Sequence, residues 1–376
     1  MWHSFVIKII KNSMKKLHII LGLVIILVIG TLVLSSDKAK LESEKPLVKI
    51  GISGPLSGSL AFAGDAMRNA AQMAIEERTD SNNRYEIVFE DDSFDPKKAA
   101  SAVVKMVSVD KVDAFMTFAS AAGNIANPIA EKYKVPHISI ASDPNIAKGD
   151  YNFTHWTTPS AEAQVFIEEL NRRGIKKIAL LGANIQGITA VMDEVERQVK
   201  GTDIQIVAKE VFNFGTTDFR TLISKVRAQN PEIYVPIAFS PELEILAKQI
   251  KDAGITEPMT SLEGFELTDK PELFEGLWYV NAADASEEFR IAYKNRFGKD
   301  PVIATANAYD IVKMIIDSAE RTSNGEVKPT PEAIKNALYD LDMKGALGNL
   351  KIDKDGFVLT KAVVRIIEGG KPKTIR

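Results

Sequence analysis

The chain has no cysteine among its 376 residues. That excludes structural disulfides, thiolate metal centres, a cysteine nucleophile and a lipid-modified cysteine behind an export signal. Histidine is nearly as scarce: four occur, and beyond residue 36 only His137 and His155 remain. Nucleophile signatures are missing too. There is no GxSxG elbow and no HExxH, and the nearest match, Gly51-Ile52-Ser53-Gly54-Pro55, lacks the second glycine. His137 follows Pro136 in an apolar run, the setting of a structural or wall histidine more than of a base. A hydrolase needs nucleophile, base and oxyanion donors around one point. No such set occurs, so the chain reads as a binder and not as an enzyme.

A large charge of one sign is also absent. The formal net charge is -3. The first 36 residues hold Lys8, Lys11, Lys15 and Lys16 and no acid, which leaves 43 basic against 50 acidic residues in the rest. A mildly acidic body without a basic run excludes nucleic acid as partner. What remains is a normal globular mix, 45% apolar and 26% charged. Its length predicts an N-terminal extra and two lobes, because one compact core seldom serves so many residues.

Residues 1–36 read as an export segment. Lys15 and Lys16 precede an uncharged stretch of 16 residues, Ile19 to Leu34, followed by Ser35, Ser36 and a charged segment. A basic start, an apolar middle and a small-residue exit form a secretory signal. The stretch is a little long for a signal core and a little short for a span of about 20 residues. Two outcomes stay open, a cleaved signal peptide or a retained membrane anchor. Both put the body outside, since the lysines hold the N-terminal end in the cytoplasm. Met14, just before Lys15, is an alternative start.

From Leu47 onward short apolar runs alternate with amphipathic helices. Strands are predicted at 47–53, 85–89, 114–118 and 137–140, with helices at 66–77, 96–107 and 124–133 between them. The second half repeats the scheme from the helix at 161–173 to the helix at 303–321. Asp95-Pro96, Ser240-Pro241 and Thr330-Pro331 mark capped helix starts, an acceptor side chain followed by a residue that suits the first turn. The tail, 348–352 and 357–367, reads as a hairpin turning at Asp355-Gly356. This alternation predicts an α/β fold of two doubly wound parallel-sheet lobes. Loops after the strands gather at one edge of each sheet, where ligands sit.

Those loops carry the candidate chemistry. The Gly-rich loop 54–65 lacks the spacing of a nucleotide cradle. Asp91-Asp92-Ser93-Phe94-Asp95 lacks the glycine and distal glutamate of a calcium loop, so no metal is expected. Ala119-Ser120 and Ala141-Ser142-Asp143 are short loops offering N–H groups and hydroxyls before helices, good partners for a carboxylate. Each such charge-assisted bond is worth about 1.5–3 kcal/mol. In the other half Glu263 sits in a strand-end loop, where one carboxylate suits an ammonium. Phe239 and Gln186 lie at further strand-end loops of that half.

Taken together, Lys49-Ile50-Gly51 leading to Pro55-Leu56-Ser57-Gly58, Glu90-Asp91-Asp92 before Asp95-Pro96, Val135-Pro136-His137-Ile138-Ser139 and Ala308-Tyr309-Asp310 make the chain resemble the type I periplasmic binding proteins of the leucine/isoleucine/valine-binding group. The likeness runs from Val48 to the end. It implies two lobes joined by a three-segment hinge, at 46–157 plus 282–357 and at 158–281 plus 358–376. It implies that Ser120 and the Ala141-Ser142 loop hold a ligand α-carboxylate, that Glu263 takes the α-ammonium, and that Phe239 forms an aromatic wall. Two departures touch the side-chain pocket. An aromatic is usual where Ala63 stands, with Phe62 adjacent, and Gln186 replaces another. The implied function is an extracytoplasmic receptor of an ABC-type importer, monomeric, without cofactor, handing a small molecule to a membrane permease. The alternative is a membrane-tethered sensor for an amide or urea-like ligand.

Overall fold

The structure is a computed structural model and describes residue 2 and residues 45–376, apart from residues 79, 267, 269 and 359. The expected export segment therefore lies, save for residue 2, outside the described residues. Among the described residues no helix is long and apolar enough to cross a membrane.

The first sheet has five parallel strands, β1 (Leu47–Gly54), β2 (Arg84–Asp91), β3 (Ala114–Phe118), β4 (His137–Ile140) and β5 (Asn152–Thr154). Their spatial order is β2-β1-β3-β4-β5. Helices cover both faces of such a sheet, so its central strands are apolar throughout rather than alternating. Val48, Ile50, Ile52, Phe115 and Met116 are accordingly buried. The strand order reverses between β1 and β3, and the loops leaving these strands part to open a crevice at the carboxyl edge. Helix Thr305–Arg321 packs on helix Ala61–Glu76, and helix Pro331–Tyr339 packs on Thr305–Arg321.

The second sheet begins with parallel strands β6 (Lys177–Ala183), β7 (Gln205–Phe212) and β8 (Ile233–Ile237), in the order β7-β6-β8. Bridges Tyr234–Met259 and Leu262–Val280 extend it to β9 (Trp278–Ala282). β10 (Met343–Gly345) and β11 (Gly348–Leu350) make a separate antiparallel ribbon. β12 (Ala362–Glu368) lies antiparallel between β9 and β13 (Lys371–Thr374). The architecture is α/β with parallel sheets, and the far edge of the second sheet is antiparallel. The chain leaves the first sheet after Thr154, leaves the second after Ala282, and rejoins it at Ala362.

Three local expectations change. Helices predicted at 66–77 and 124–133 start at Ala61 and Ser120. Neither has a side-chain cap, so the cue that marks helix starts is missing at both. Gly64 is a helical glycine: a Cβ there would collide with the Pro55 carbonyl, so the helix lies directly on the loop after β1. The tail hairpin forms only at its tip, where Ile352 bridges Val358 antiparallel. Asp353 does close the turn, accepting from the Asp355 and Phe357 N–H groups. Beyond it Val358 donates to the Thr154 carbonyl, and the chain moves on to the other sheet. Asp95 and Thr330 cap their helices, worth typically about 1 kcal/mol each. Ser240 does not, and its hydroxyl donates to Glu244 at 2.7 Å.

Candidate ligand site

Two strand ends of the first sheet and three of the second meet at one point. From the first come Phe118 and Ala119, Ser120 at the start of helix Ser120–Tyr133, and Ile140, Ala141 and Ser142 after β4. From the second come Ile185, Gly187 and Ile188 around the start of helix Gln186–Gln198, Phe239 after β8, and Glu263. Trp156, from the segment joining the sheets, and Ile303 complete the lining. The free space is about 30 Å³, room for about one water. The two sides are closed on each other. A Cβ on Gly187 would collide with the hydroxyls of both Ser120 and Ser142.

Groups of opposite charge preference meet here. Two helix N-termini and two hydroxyls lie at the cavity at Ser120, Ser142 and Gly187, an arrangement that favours an anion. Glu263 shares the cavity and is buried, and Trp156 donates its indole N–H to Glu263 Oε1 at 2.6 Å. Glu263 adopts a left-handed backbone, φ 58°, while its N–H donates to the Val280 carbonyl at 2.9 Å. That pairing holds an unfavourable conformation in place. Burial raises the Glu263 carboxyl above its ordinary value, against the hydrogen bonds from Trp156 and Ser142. Glu162 lies alongside. It is fully buried, and neither of its oxygens has a partner in hydrogen-bond geometry. Burial, then the neighbouring Glu263 charge, push its carboxyl well above the ordinary carboxylate range.

Aromatic rings rim the cleft. Phe94, whose neighbour Ser93 shares its left-handed backbone, packs at a tilt against Phe239 of the other side with centroids 4.9 Å apart. Ser59 also crosses, donating to the Ser240 carbonyl at 3.3 Å.

Ser120, Ala141, Ser142, Phe239 and Glu263 thus line one cavity. Phe62 lines a larger adjoining space of about 410 Å³, which shares Trp156 and Ile303 with the first. Gln186 is exposed and belongs to neither lining. Asp143 caps the turn Pro144–Ala147 and accepts from Asn124, leaving Ser142 free for the cavity. Sequence reasoning missed Trp156, Glu162 and Gly187. Only Glu162 carried a signal: it stands on one helix line with the buried Phe166 and Leu170, where an acid is out of place.

The other titratable candidates are engaged in structure. His137 lies between Thr117 and Asn152, 2.8 Å from each, and burial lowers it to about 4. Asp91 accepts from the Leu56, Ser57 and Ser93 N–H groups, and Asp92 accepts from Ser53. Among the described residues no cluster of three metal-ligating side chains occurs.

Comparison with known families gives a match to "Periplasmic binding protein" over residues 47–371. The chain belongs to the periplasmic binding protein family. The family is one of binding proteins. One relative, from Pseudomonas aeruginosa, is a leucine-, isoleucine-, valine-, threonine- and alanine-binding protein; it is 27% identical over 336 residues, 82% of this chain and 86% of that one. Among solved structures, a leucine-binding protein from Thermotoga maritima matches with a TM-score of 0.79 at 22% identity, covering 88% of this chain and 98% of that one. A solute-binding protein of an ABC transporter from Rhodopseudomonas palustris, solved with 3,4-dihydroxybenzoic acid, matches with a TM-score of 0.77 at 19% identity, covering 88% and 96%. At such identities the structural likenesses speak for the periplasmic binding protein fold alone.

Proposed function

We propose that this periplasmic binding protein is the exported solute receptor of an ABC-type importer and that it closes on an amino acid. The lobes are 46–157 plus 282–357 and 158–281 plus 358–376. Separate sheets, helices packed back onto the first sheet, and three joining segments support that division. The ligand carboxylate lies at Ser120, Ser142 and the two helix N-termini, and the ammonium lies at Glu263. Residues 1–36 deliver the body to the outer side, and the closed receptor docks on a membrane permease.

The observation that carries this reading is one cavity that joins anion-favouring groups at Ser120, Ser142 and Gly187 to a buried Glu263 carboxyl. Amino-acid binding by the Pseudomonas relative agrees with it. An aromatic acid, as in the Rhodopseudomonas neighbour, would leave buried acids facing no cation, at a cost of several kcal/mol. With about one water's room in the closed site, binding requires the lobes to part and re-form around the ligand. Ligand drives that step only by its greater affinity for the closed form.

A thermal-shift screen of L-amino acids, amides and benzoates tests the reading. A true ligand at 100 times its Kd adds about 2.7 kcal/mol of stability. Stabilisation by amino acids alone is expected. Stabilisation by benzoate, or by an amide and no amino acid, would replace it.

A further inference from the structure

The Glu263 carboxyl has a neighbour that the proposed function leaves unused. Glu162 stands in the first turn of helix Pro159–Arg173, fully buried, with no cation or backbone N–H on either oxygen among the described residues. It lies beside Glu263 and the Trp156 indole. A structural acid is normally satisfied by a cation or by N–H donors. Glu169, seven residues further along the helix, shows the contrast. It is bonded to Arg172 and Arg173.

Among the described residues nothing packed around Glu162 supplies a counter-charge. Helix Gln186–Gln198 lies against this helix, but its Glu194 is bonded to Arg197, and its Asp193 and Glu196 to Lys209. β9 and β12 lie against it as well. There Arg365 is bound to Glu266 and Asp284, and Tyr279 donates to Glu266 at 2.8 Å. His155 pairs with Asn307 and faces Asp310. The groups acting on the Glu162–Glu263 pair are the two acids themselves, Trp156 and Ser142. Two adjacent buried carboxyls cannot both ionise without a cation, so they hold a proton between them.

We propose that Glu162 is a second acid of the ammonium subsite, and that the ligand's ammonium displaces the proton it shares with Glu263. The inference rests on the amino-acid reading above. The ammonium arrives and stays protonated. Glu162 releases its proton to water, and the two carboxylates flank one cation. Ligand capture is then coupled to proton release. Two acids at this end also select for a cationic head and against carboxylic acids that lack one.

Calorimetry tests this on the exported chain, with L-leucine, L-valine, L-threonine and L-alanine as probes, in two buffers of different ionisation heat. The wild type is expected to release a proton on binding each probe at any pH between the ordinary carboxylate value of 4.5 and the raised value of the ligand-free pair. Across that range its affinity should rise with pH, by up to about tenfold per unit. Glu162→Gln keeps the shape and should lose both the proton release and the slope. Infrared difference spectra of the wild type give a readout independent of the variant's folding: a protonated carboxyl band should vanish on binding. Binding with no proton release, a retained carboxyl band, or unchanged release in Glu162→Gln would overturn this inference and leave the amino-acid reading standing. No binding of any probe would overturn both.

Discussion

Glu263 and Glu162 illustrate how far single residues can be read from a sequence. Glu263 was legible as one acid in a strand-end loop opposite loops that favour an anion. If it takes the ligand ammonium, Glu263→Gln should weaken amino-acid binding at least about tenfold, the lower end of losing a charge-assisted bond; unchanged affinity by calorimetry counts against the assignment. Glu162 was hidden because a helical pattern says which face is buried and not what the face meets. Its folded-state carboxyl is raised above the ordinary 4.5. The native state therefore holds a proton that the unfolded chain releases above that value. Ligand-free stability should accordingly fall as pH climbs from about 4.5 through the raised folded value. Glu162→Gln should flatten that fall, as denaturant melts across pH would show; an identical pH profile in the variant would mean that Glu162 does not hold the proton. Trp156 and Gly187 were illegible for a plainer reason. Both act by close approach across the cleft, which local sequence does not encode.

At the scale of elements, strands were read best. β3 and β4 fall where apolar composition places them, because strands buried on both faces leave an unbroken apolar run. Helix starts capped by Asp95 and Thr330 were read correctly. Two of the uncapped starts, Ala61 and Ser120, were missed. The start at Ser120 lines the cavity, where its N–H groups suit a ligand end. The start of helix Gln186–Gln198 depends on Gly187 having no side chain. Gly187→Ala puts a methyl into the Ser120 and Ser142 hydroxyls. It should hold the lobes apart and lower affinity more than tenfold while leaving the melting temperature of the ligand-free protein nearly unchanged. A variant that binds normally would show that closure does not bring these groups together. The loop carrying Phe94 makes the opposite contribution, since its ring packs at a tilt across the cleft on Phe239. An aromatic pair adds about 0.5–1.5 kcal/mol beyond burial. Phe94→Ala should therefore speed ligand release roughly three- to tenfold in stopped-flow measurements, with little effect on association.

Over the whole molecule, alternation of strand and helix foretold two sheets with ligand loops at their edges. It did not foretell how the second sheet closes. β9 and β12 pair antiparallel although separated by the whole run from Ala283 to Lys361, and no local pattern signals such a pairing. The same return brings Arg365 to Asp284 and Glu266, an ion cluster that ties two of the joining segments together. If Ser120 and Ser142 take a carboxylate and Glu263 an ammonium, both ends of a ligand lie in the one cavity between the joined sheets, and a zwitterion is expected to bind there. The most direct measurement is calorimetry of three matched compounds: an L-amino acid, the acid lacking its amine, and the amine lacking its carboxylate. L-leucine, 4-methylpentanoate and 3-methylbutylamine form one such set, and L-alanine, propionate and ethylamine another. The account predicts that only the amino acid binds, with at least a hundredfold advantage over either fragment, since each fragment lacks one charge-assisted end. A deaminated acid that binds as tightly as its amino acid would contradict it.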